Sequence, residues 1–319
     1  MMRILSLIAS STEIVCALGA ESLLVGRSHE CDFPPTVKKL PQVTIPSFPT
    51  EGSSAEIDRE VKTRVRDALS IYEVDRPKLA ELKPDVILTQ TQCEVCAVSL
   101  KDVERALAEP LGFTPTVVSL TPNSLADLYE DIRRIARAIG LEPRGDRLVA
   151  ELKGRMSAIE RITRRIVAGE RRGKKPRVAI VEWIDPLMAA GNWMPELVAA
   201  ANGENLFGEA GRHSPWLTMD ELVAKDPDVV VVSPCGFDLV RTRKELHLLT
   251  GEPRFRGLRA FREGRIAIVD GNQYFNRPGP RTLGALEILA EILYPGKFEF
   301  ERVALADGSP GWEWVKNEL

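Results

Sequence analysis

The chain has 319 residues, of which 44% are hydrophobic and 28% charged, and a formal net charge of −3. That length suits two domains of common size, and the charge balance gives no electrostatic reason to expect nucleic acid as a partner. No run approaches the roughly 18 apolar residues of a membrane span, so no integral membrane protein is expected. Five cysteines form an odd set in a chain too long to need staples, which favours reduced thiols over a disulfide framework.

The N-terminal "MMRILSLIASSTEIVCALGA" superficially resembles a signal peptide, but its apolar core spans only about six residues against the roughly 7–15 such a core needs. "RILSLIA" is therefore expected as a first buried strand, and the expected address is cytoplasmic. A periplasmic or extracellular address is the alternative if a leader has been trimmed. The helix "STEIVCALG" follows, with Ser or Thr as N-cap, Gly19 as C-cap and Cys16 on its apolar face.

Two later segments repeat one plan: "LAELKPDVILTQTQC" (79–93) and "LVAKDPDVVVVSPC" (222–235). Each reads as a short helix stopped at x-Pro-Asp, a β-branched strand, and a polar loop carrying a cysteine. Pro84 and Pro227 end their helices because proline disfavours the α region at the preceding residue. Continuous apolar runs such as "DVVVVS" are the pattern of parallel strands covered on both faces. "RVAIVEW" before "MPELVAAAN", and "RIAIVD" before "PRTLGALEILAEIL", add further βα units. Repeated βα units imply right-handed crossovers and open, largely parallel sheets.

Between the halves, Leu148, Val149, Leu152, Met156, Ile159, Ile162 and Ile166 recur at helical spacing with no proline among them. About 25 residues at 1.5 Å each make a rod on the order of 40 Å. The expected fold is α/β: two Rossmann-like lobes with mainly parallel sheets, joined by a single long rigid helix, with a ligand cleft between the lobes. The N-terminal lobe is expected over 1–142, the connecting helix over 143–172, and the C-terminal lobe with a short extension over 173–319. Ligands of open α/β sheets bind beyond the carboxyl ends of the strands. Loops such as "SSTE", "SHECD", "TQTQCEVC", "EWIDP", "SPCGF" and "DGNQYFNRPGP" should therefore line the cleft.

With these motifs in place, the chain resembles the helical-backbone class of ABC-transporter substrate-binding proteins, in its iron-chelate and cobalamin-binding branch. "RILSLIASSTEIVCALGAESLLVGRSHECDFPP", "LKPDVILTQ", "NGENLFGEAGRHSPWLTMDELVAKDPDVVVV" and "RPGPRTLGALEILAEILYP" carry the resemblance, over about 1–295. The "SHECD" and "TQ..C.VCAV" versions are similar to the cobalamin-binding members. The resemblance implies a corrinoid ligand taken up or delivered through an ABC transporter permease, with no intrinsic cofactor. A haem or another iron or metal chelate is the alternative cargo, and a cytosolic metal or redox protein built on Cys93 and Cys96 is the other alternative.

A corrinoid or chelate needs flat apolar walls and a few directed polar contacts. Trp183, Trp193, Trp216, Phe237, Tyr274 and Phe275 fall in strand-end loops or just beyond them, with Trp193 and Trp216 presented by turn residues. Ser10, Ser11, Glu30, Thr91, Gln92, Asn276 and Arg277 are the candidate polar contacts, and Arg277 or Arg281 could meet an anionic side group. His29 is one of three histidines, and a neutral imidazole is the usual nitrogen donor to cobalt, iron or zinc. It is the expected axial ligand, with His213 second, while His247 reads as a helix residue outside the site. Cys93-x-x-Cys96 with Cys31 and His29 makes a possible Cys₃His tetrad for zinc or an iron–sulfur cluster, although a lone CxxC is a weak signal. The same pair could instead be a redox couple opening a helix, or thiols that line the pocket.

Members of this class present one acidic residue per lobe to transporter arginines. The resemblance places these at Asp220, with Glu221 adjacent, and more loosely at Asp75. An enzyme is not expected: no G-x-S-x-G elbow and no phosphate-binding glycine loop is present, and the loop carboxylates form no spaced catalytic pair.

Overall fold

The computed structural model describes residues 1–67, 69–92, 97–108, 112–300 and 310–316. The chain divides into two compact units: Met1–Gly52 with Glu56–Glu151, and Ser53–Ala55 with Leu152–Leu319.

Unit 1 begins with strand β1 (Ile4–Ser6), helix α1 (Ala9–Ala17) and strand β2 (Leu24–Arg27). Strand β3 (Thr44–Pro46), helix α2 (Ser54–Arg66), strand β4 (Tyr72–Val74), helix α3 (Arg76–Leu82) and strand β5 (Val86–Gln90) come next. Helix α4 (Leu100–Leu107), strand β6 (Thr116–Leu120) and helix α5 (Leu125–Ala138) follow. The main sheet runs β2-β1-β5-β6, and every pairing in it is parallel. Strands β3 and β4 form a separate antiparallel pair, unforeseen from sequence because each is three residues long and β3 ends in Pro46.

Helix α6 (Glu142–Ala168) is unbroken over 27 residues. The expected apolar stripe shifts in its last turns. Besides Gly145 the buried positions are Val149, Leu152, Met156, Ile159, Thr163 and Val167, so Thr163 replaces the exposed Ile162, Val167 replaces the half-buried Ile166, and Leu148 is half-buried. Thr163 tolerates burial because its Oγ1 donates to the Ile159 carbonyl at 3.1 Å and accepts from Asn202 Nδ2 at 2.8 Å. The first turns of α6 lie tightly on α5: a Cβ at Gly145 would come within 2.6 Å of the Ala136 side chain.

Unit 2 contains strands β7 (Arg177–Trp183) and β8 (Met188–Ala189), helix α7 (Met194–Ala200), strand β9 (Glu204–Asn205), helix α8 (Met219–Lys225) and strand β10 (Val229–Val232). Helix α9 (Leu239–Glu245), the short helices α10 (His247–Thr250), α11 (Pro253–Arg256) and α12 (Arg259–Arg262), and strand β11 (Ile266–Val269) follow. Helix α13 (Thr282–Leu293) and strand β12 (Trp312–Trp314) complete it. The sheet order is β12-β11-β10-β7-β8, with β9 also paired to β7. Strand β10 is parallel to both neighbours and its four valines are buried, the arrangement its uninterrupted apolar run demands. Each such valine contributes on the order of 1.5–3 kcal/mol. The short C-terminal extension joins the sheet: β12 closes one sheet edge, and Trp312 Nε1 donates to Glu291 at 2.6 Å.

The repeated helix–strand plan has a common backbone device. Lys83 after α3 and Asp226 after α8 both take left-handed φ values, 41° and 40°, directly before Pro84 and Pro227. At the other end of β1 the expectation fails. Helix α1 starts at Ala9 with Ile8 in the cap position and no side-chain cap, so Ser10 and Ser11 lie inside the helix. Gly19, at φ 70°, follows the helix as expected.

The turn after β11 presses on the loop after β10. A Cβ on Gly271 would lie 2.2 Å from the Pro234 carbonyl oxygen and 3.0 Å from that of Ser233. Gly271→Ala should therefore cost about 1–3 kcal/mol, seen as a lower urea midpoint; an unchanged midpoint would show that these two loops are not held against each other.

Candidate ligand-binding site at the strand ends

In each unit the strand order reverses, and that reversal opens the carboxyl ends of two neighbouring strands to a ligand. In unit 1 the chain moves from β1 outward to β2, then returns to place β5 on the other side of β1. In unit 2 it moves from β7 to β9, then returns to place β10 on the other side of β7. The loops after β1, β5, β7 and β10 hold many of the residues expected to bind.

At the first switch point the serines are structural. Ser11 Oγ lies 2.6 Å from Ser6 Oγ and donates to the Ile8 carbonyl at 3.0 Å, and both Ser10 and Ser11 are buried. Thr12 Oγ1 extends this network, donating at 3.0 Å to Sγ of Cys31, which is 1% exposed. The Cys31 thiol is thus enclosed between β1 and α1. The Cys16 thiol is pushed up to about 12, first by burial and then by Glu21, which keeps it protonated. Thr91 is exposed and Gln92 half-buried, beyond the end of β5. Cys93 and Cys96 lie outside the described residues. Among the described residues no group of three or more His, Cys, Asp or Glu is placed to hold a metal ion.

His29, in the loop after β2, has the most defined setting. Its ring is half-buried, lies 5.4 Å from the Tyr72 ring, and its Nδ1 is 2.8 Å from Thr44 Oγ1. The His29 backbone N–H donates to the same oxygen at 3.1 Å, and Thr44 Oγ1 donates to Ser28 Oγ at 3.1 Å. Burial, then the positive charge of Arg27, lowers the His29 pKa to about 4, so the imidazole is neutral at physiological pH. Glu30 beside it is half-buried. Thr44 escaped sequence analysis because it stands 15 residues away on β3.

At the second switch point Trp183, ending β7, meets Phe237 edge to face at 5.3 Å, and Arg241 of α9 stacks over Phe237 at 3.8 Å. Arg241 was missed; its signal was the spacing of four from Phe237, with Asp238 as N-cap between them. The two favoured tryptophans separate. Trp216 is 57% exposed, whereas Trp193 is 6% exposed and packs in the interior, its Nε1 buried without a partner among the described residues. Turn residues before a ring set where the chain bends, and they do not set which face the ring takes.

The loop after β11 is a wide turn closed by Asn276 N–H donating to the Gly271 carbonyl at 3.0 Å. Tyr274 and Phe275 are buried in it, and Asn276 Nδ2 donates to the Ser233 carbonyl at 2.9 Å. Arg277 is buried and donates to Asn272 Oδ1 at 2.8 Å; Arg281 lies over the Tyr274 ring at 5.5 Å and donates to Gln273 Oε1. Asp270 caps the turn by accepting from Gln273 N–H, and burial raises its pKa to about 6. Asn276 thus acts as a brace between loops.

Of the acidic docking candidates, Asp75 caps α3 by accepting from Lys78 N–H at 3.0 Å, and Glu221 closes the capping box of α8 with Thr218. Asp220 is different: its side chain is 84% exposed and its one ion pair among the described residues, at 2.6 Å, is with the half-exposed Arg254.

A profile for a family described as periplasmic binding protein matches residues 4–272. A relative from Bacillus subtilis, an uncharacterized ABC transporter substrate-binding lipoprotein, is 26% identical over 303 residues, covering 93% of this chain and 81% of the relative. A vitamin B12-binding protein of Pectobacterium atrosepticum is 20% identical over 296 residues, covering 91% and 88%. Among solved structures, a periplasmic heme-binding protein from Roseiflexus sp. RS-1 superposes with TM-score 0.66 at 26% identity, covering 92% of this chain and 98% of that one. These findings correct the cytoplasmic address: the profile is of periplasmic proteins and the Bacillus relative is a lipoprotein. The first apolar run is the buried strand expected, β1, and a strand there carries no information about the address.

Glu182, one residue before the end of β7, accepts from Ser214 Oγ at 2.9 Å, and Ser214 Oγ in turn accepts from Gly191 N–H at 3.1 Å. Burial raises the Glu182 pKa from 4.5 to about 7, against the lowering effects of Ser214 and His213. The folded state thus prefers the neutral acid. The resulting stabilisation is complete below the unfolded value of 4.5 and is lost as pH rises through about 7. Melting measured from about pH 5 to 8 should show wild type losing on the order of 1–2 kcal/mol from this group. Glu182→Gln keeps an acceptor for Ser214 and should flatten that decline; an identical slope in the variant would contradict the assignment.

Proposed function

We propose that this chain, which belongs to the periplasmic binding protein family and is a substrate-binding protein of ABC-type transport, takes a corrinoid as its cargo. The observation that carries the reading is the setting of His29. With the Thr44 hydroxyl donating to Ser28 Oγ, the 2.8 Å contact is Nδ1–H donating to Thr44, and Nε2 keeps its lone pair. A ligating histidine is commonly fixed in this way, its second nitrogen donating to a protein oxygen that sets tautomer and ring orientation. No hydrogen bond to Nε2 occurs among the described residues, and His29 stays uncharged well below neutrality. A neutral imidazole with one tied nitrogen suits cobalt in a corrin.

The strand-end residues of unit 2, taken by themselves, suit a large, flat, partly anionic cargo. The exposed Trp216 and the half-buried Trp183 offer rings, whereas Phe237, expected to bind, is fully buried against Trp183 and Arg241; the guanidinium groups of Arg241 and Arg281 are held on aromatic faces. The Pectobacterium relative, named for vitamin B12, agrees with this reading. Haem or another iron chelate is the second reading. The Roseiflexus protein, named for heme, favours it, and imidazole serves iron as well as cobalt. Docking to the transporter falls to Asp220, whose carboxylate is spent on no helix cap. An acidic group so exposed steers association with a basic partner more than it holds the complex together.

Absorbance of aquocobinamide added to the protein tests the His29 assignment. Wild type should shift the corrin bands, and His29→Ala should abolish the shift and weaken binding by roughly tenfold or more. The shift should persist down to about pH 5 and disappear as pH falls past about 4, where the imidazole protonates. Equal spectra and affinities for wild type and His29→Ala would remove the axial-ligand role.

A further inference from the structure

Unit 1 carries a cavity of about 400 Å³ between the C-terminal half of α2, strand β4 and helix α4. Its walls bring together Arg64, Arg76 and Arg105, three guanidinium groups from three different helices. None of the three lies in a strand-end loop of the main sheet. Tyr72, on the cavity wall, also faces the His29 ring, so the cavity lies near the cargo surface without sharing its expected residues.

The acceptors within this cavity are already used. Asp102 accepts from Ser70 Oγ at 2.6 Å, from Ser99 Oγ at 2.7 Å and from Ser99 N–H at 3.1 Å, which leaves Arg105 a long contact of 3.6 Å. The other wall carboxylate, Glu73, is exposed. Arg76 Nε donates to the Ala106 carbonyl at 3.0 Å. Arg64 is the informative member. Its guanidinium is laid over the Phe48 ring at 5.2 Å, and its Nε is buried with no acceptor among the described residues. Buried donors are almost always paired, so one that is not calls for an acceptor such as a water or a bound anion. Arginine presents a planar fork of donors matched to the paired oxygens of phosphate or carboxylate.

We propose that this cavity is a second binding site, for a small organic polyanion carrying phosphoryl or several carboxyl groups, held by Arg64 and Arg105 with Arg76 at its edge. The volume lies toward the low end of the roughly 300–1,000 Å³ of small-ligand pockets. The site would let a soluble anion bind the protein independently of its cargo.

Isothermal titration with pyrophosphate and with citrate, at constant ionic strength, tests this and separates the two anion chemistries. One probe should bind at one site per chain, and Arg64→Gln should weaken it by roughly tenfold or more. Arg105→Gln, at a largely exposed position, should fold normally and weaken it roughly threefold or more. Cobinamide affinity should be unchanged in Arg105→Gln. The proposal is overturned if neither probe binds at millimolar concentration, or if both variants bind it as wild type does. It is equally overturned if cobinamide affinity falls together with probe affinity, because the cavity would then belong to the cargo site.

Discussion

The constraint on which the site depends is topological: a parallel sheet whose strand order reverses cannot cover the carboxyl ends of the two strands at the reversal. Crossovers leave β1 toward β2 and return to β5, and in the second unit leave β7 and return to β10. Loops after these strands diverge, and what fills the gap is a matter of side chains. In unit 2 the gap is flanked by Trp183, which packs on the buried Phe237, with Arg241 over the phenylalanine ring. In unit 1 the flanks are polar, and the serines and Thr12 there secure the start of α1. The two switch points thus share a backbone origin and differ in chemistry.

Electrostatics in these regions follow burial. Burial keeps His29 neutral, raises Glu182 toward neutrality and raises Asp270 to about 6. All three shifts favour the uncharged form, as expected where strand ends meet a low-dielectric interior. An uncharged His29 can lend its lone pair to a metal, whereas a protonated one cannot. Histidine neutrality is therefore a property of the β2–β3 region, where Thr44 on a three-residue strand holds the ring.

Much of the fold could be read from residue order because it rests on local rules. The valine run of β10, the prolines after α3 and α8, and the helical spacing across α6 each have one physical reading, and each element is present. Most of the losses depend on contacts distant in sequence. Trp193 and Trp216 looked alike beside their turns, yet one is interior and the other exposed. Cys31 looked like a loop thiol beside His29, yet it turns inward to Thr12. Ser11 looked like a cap and is a back-bonded helix residue. Thr44 could not be named, because its relation to the site is set by β3 pairing with β4, whereas Arg241 stood four residues from Phe237 and was overlooked. The cysteine pair that first draws attention in the sequence lies outside the described residues.

The central claim, that the strand-end surface receives a metal–tetrapyrrole led by corrinoids, is tested most directly by equilibrium titration with cobalamin, cobinamide and hemin, read by quenching of tryptophan fluorescence. The account predicts saturable quenching by a corrinoid at one equivalent per chain, with affinity in the micromolar range or tighter. Absence of saturable binding to every member of that panel would contradict it.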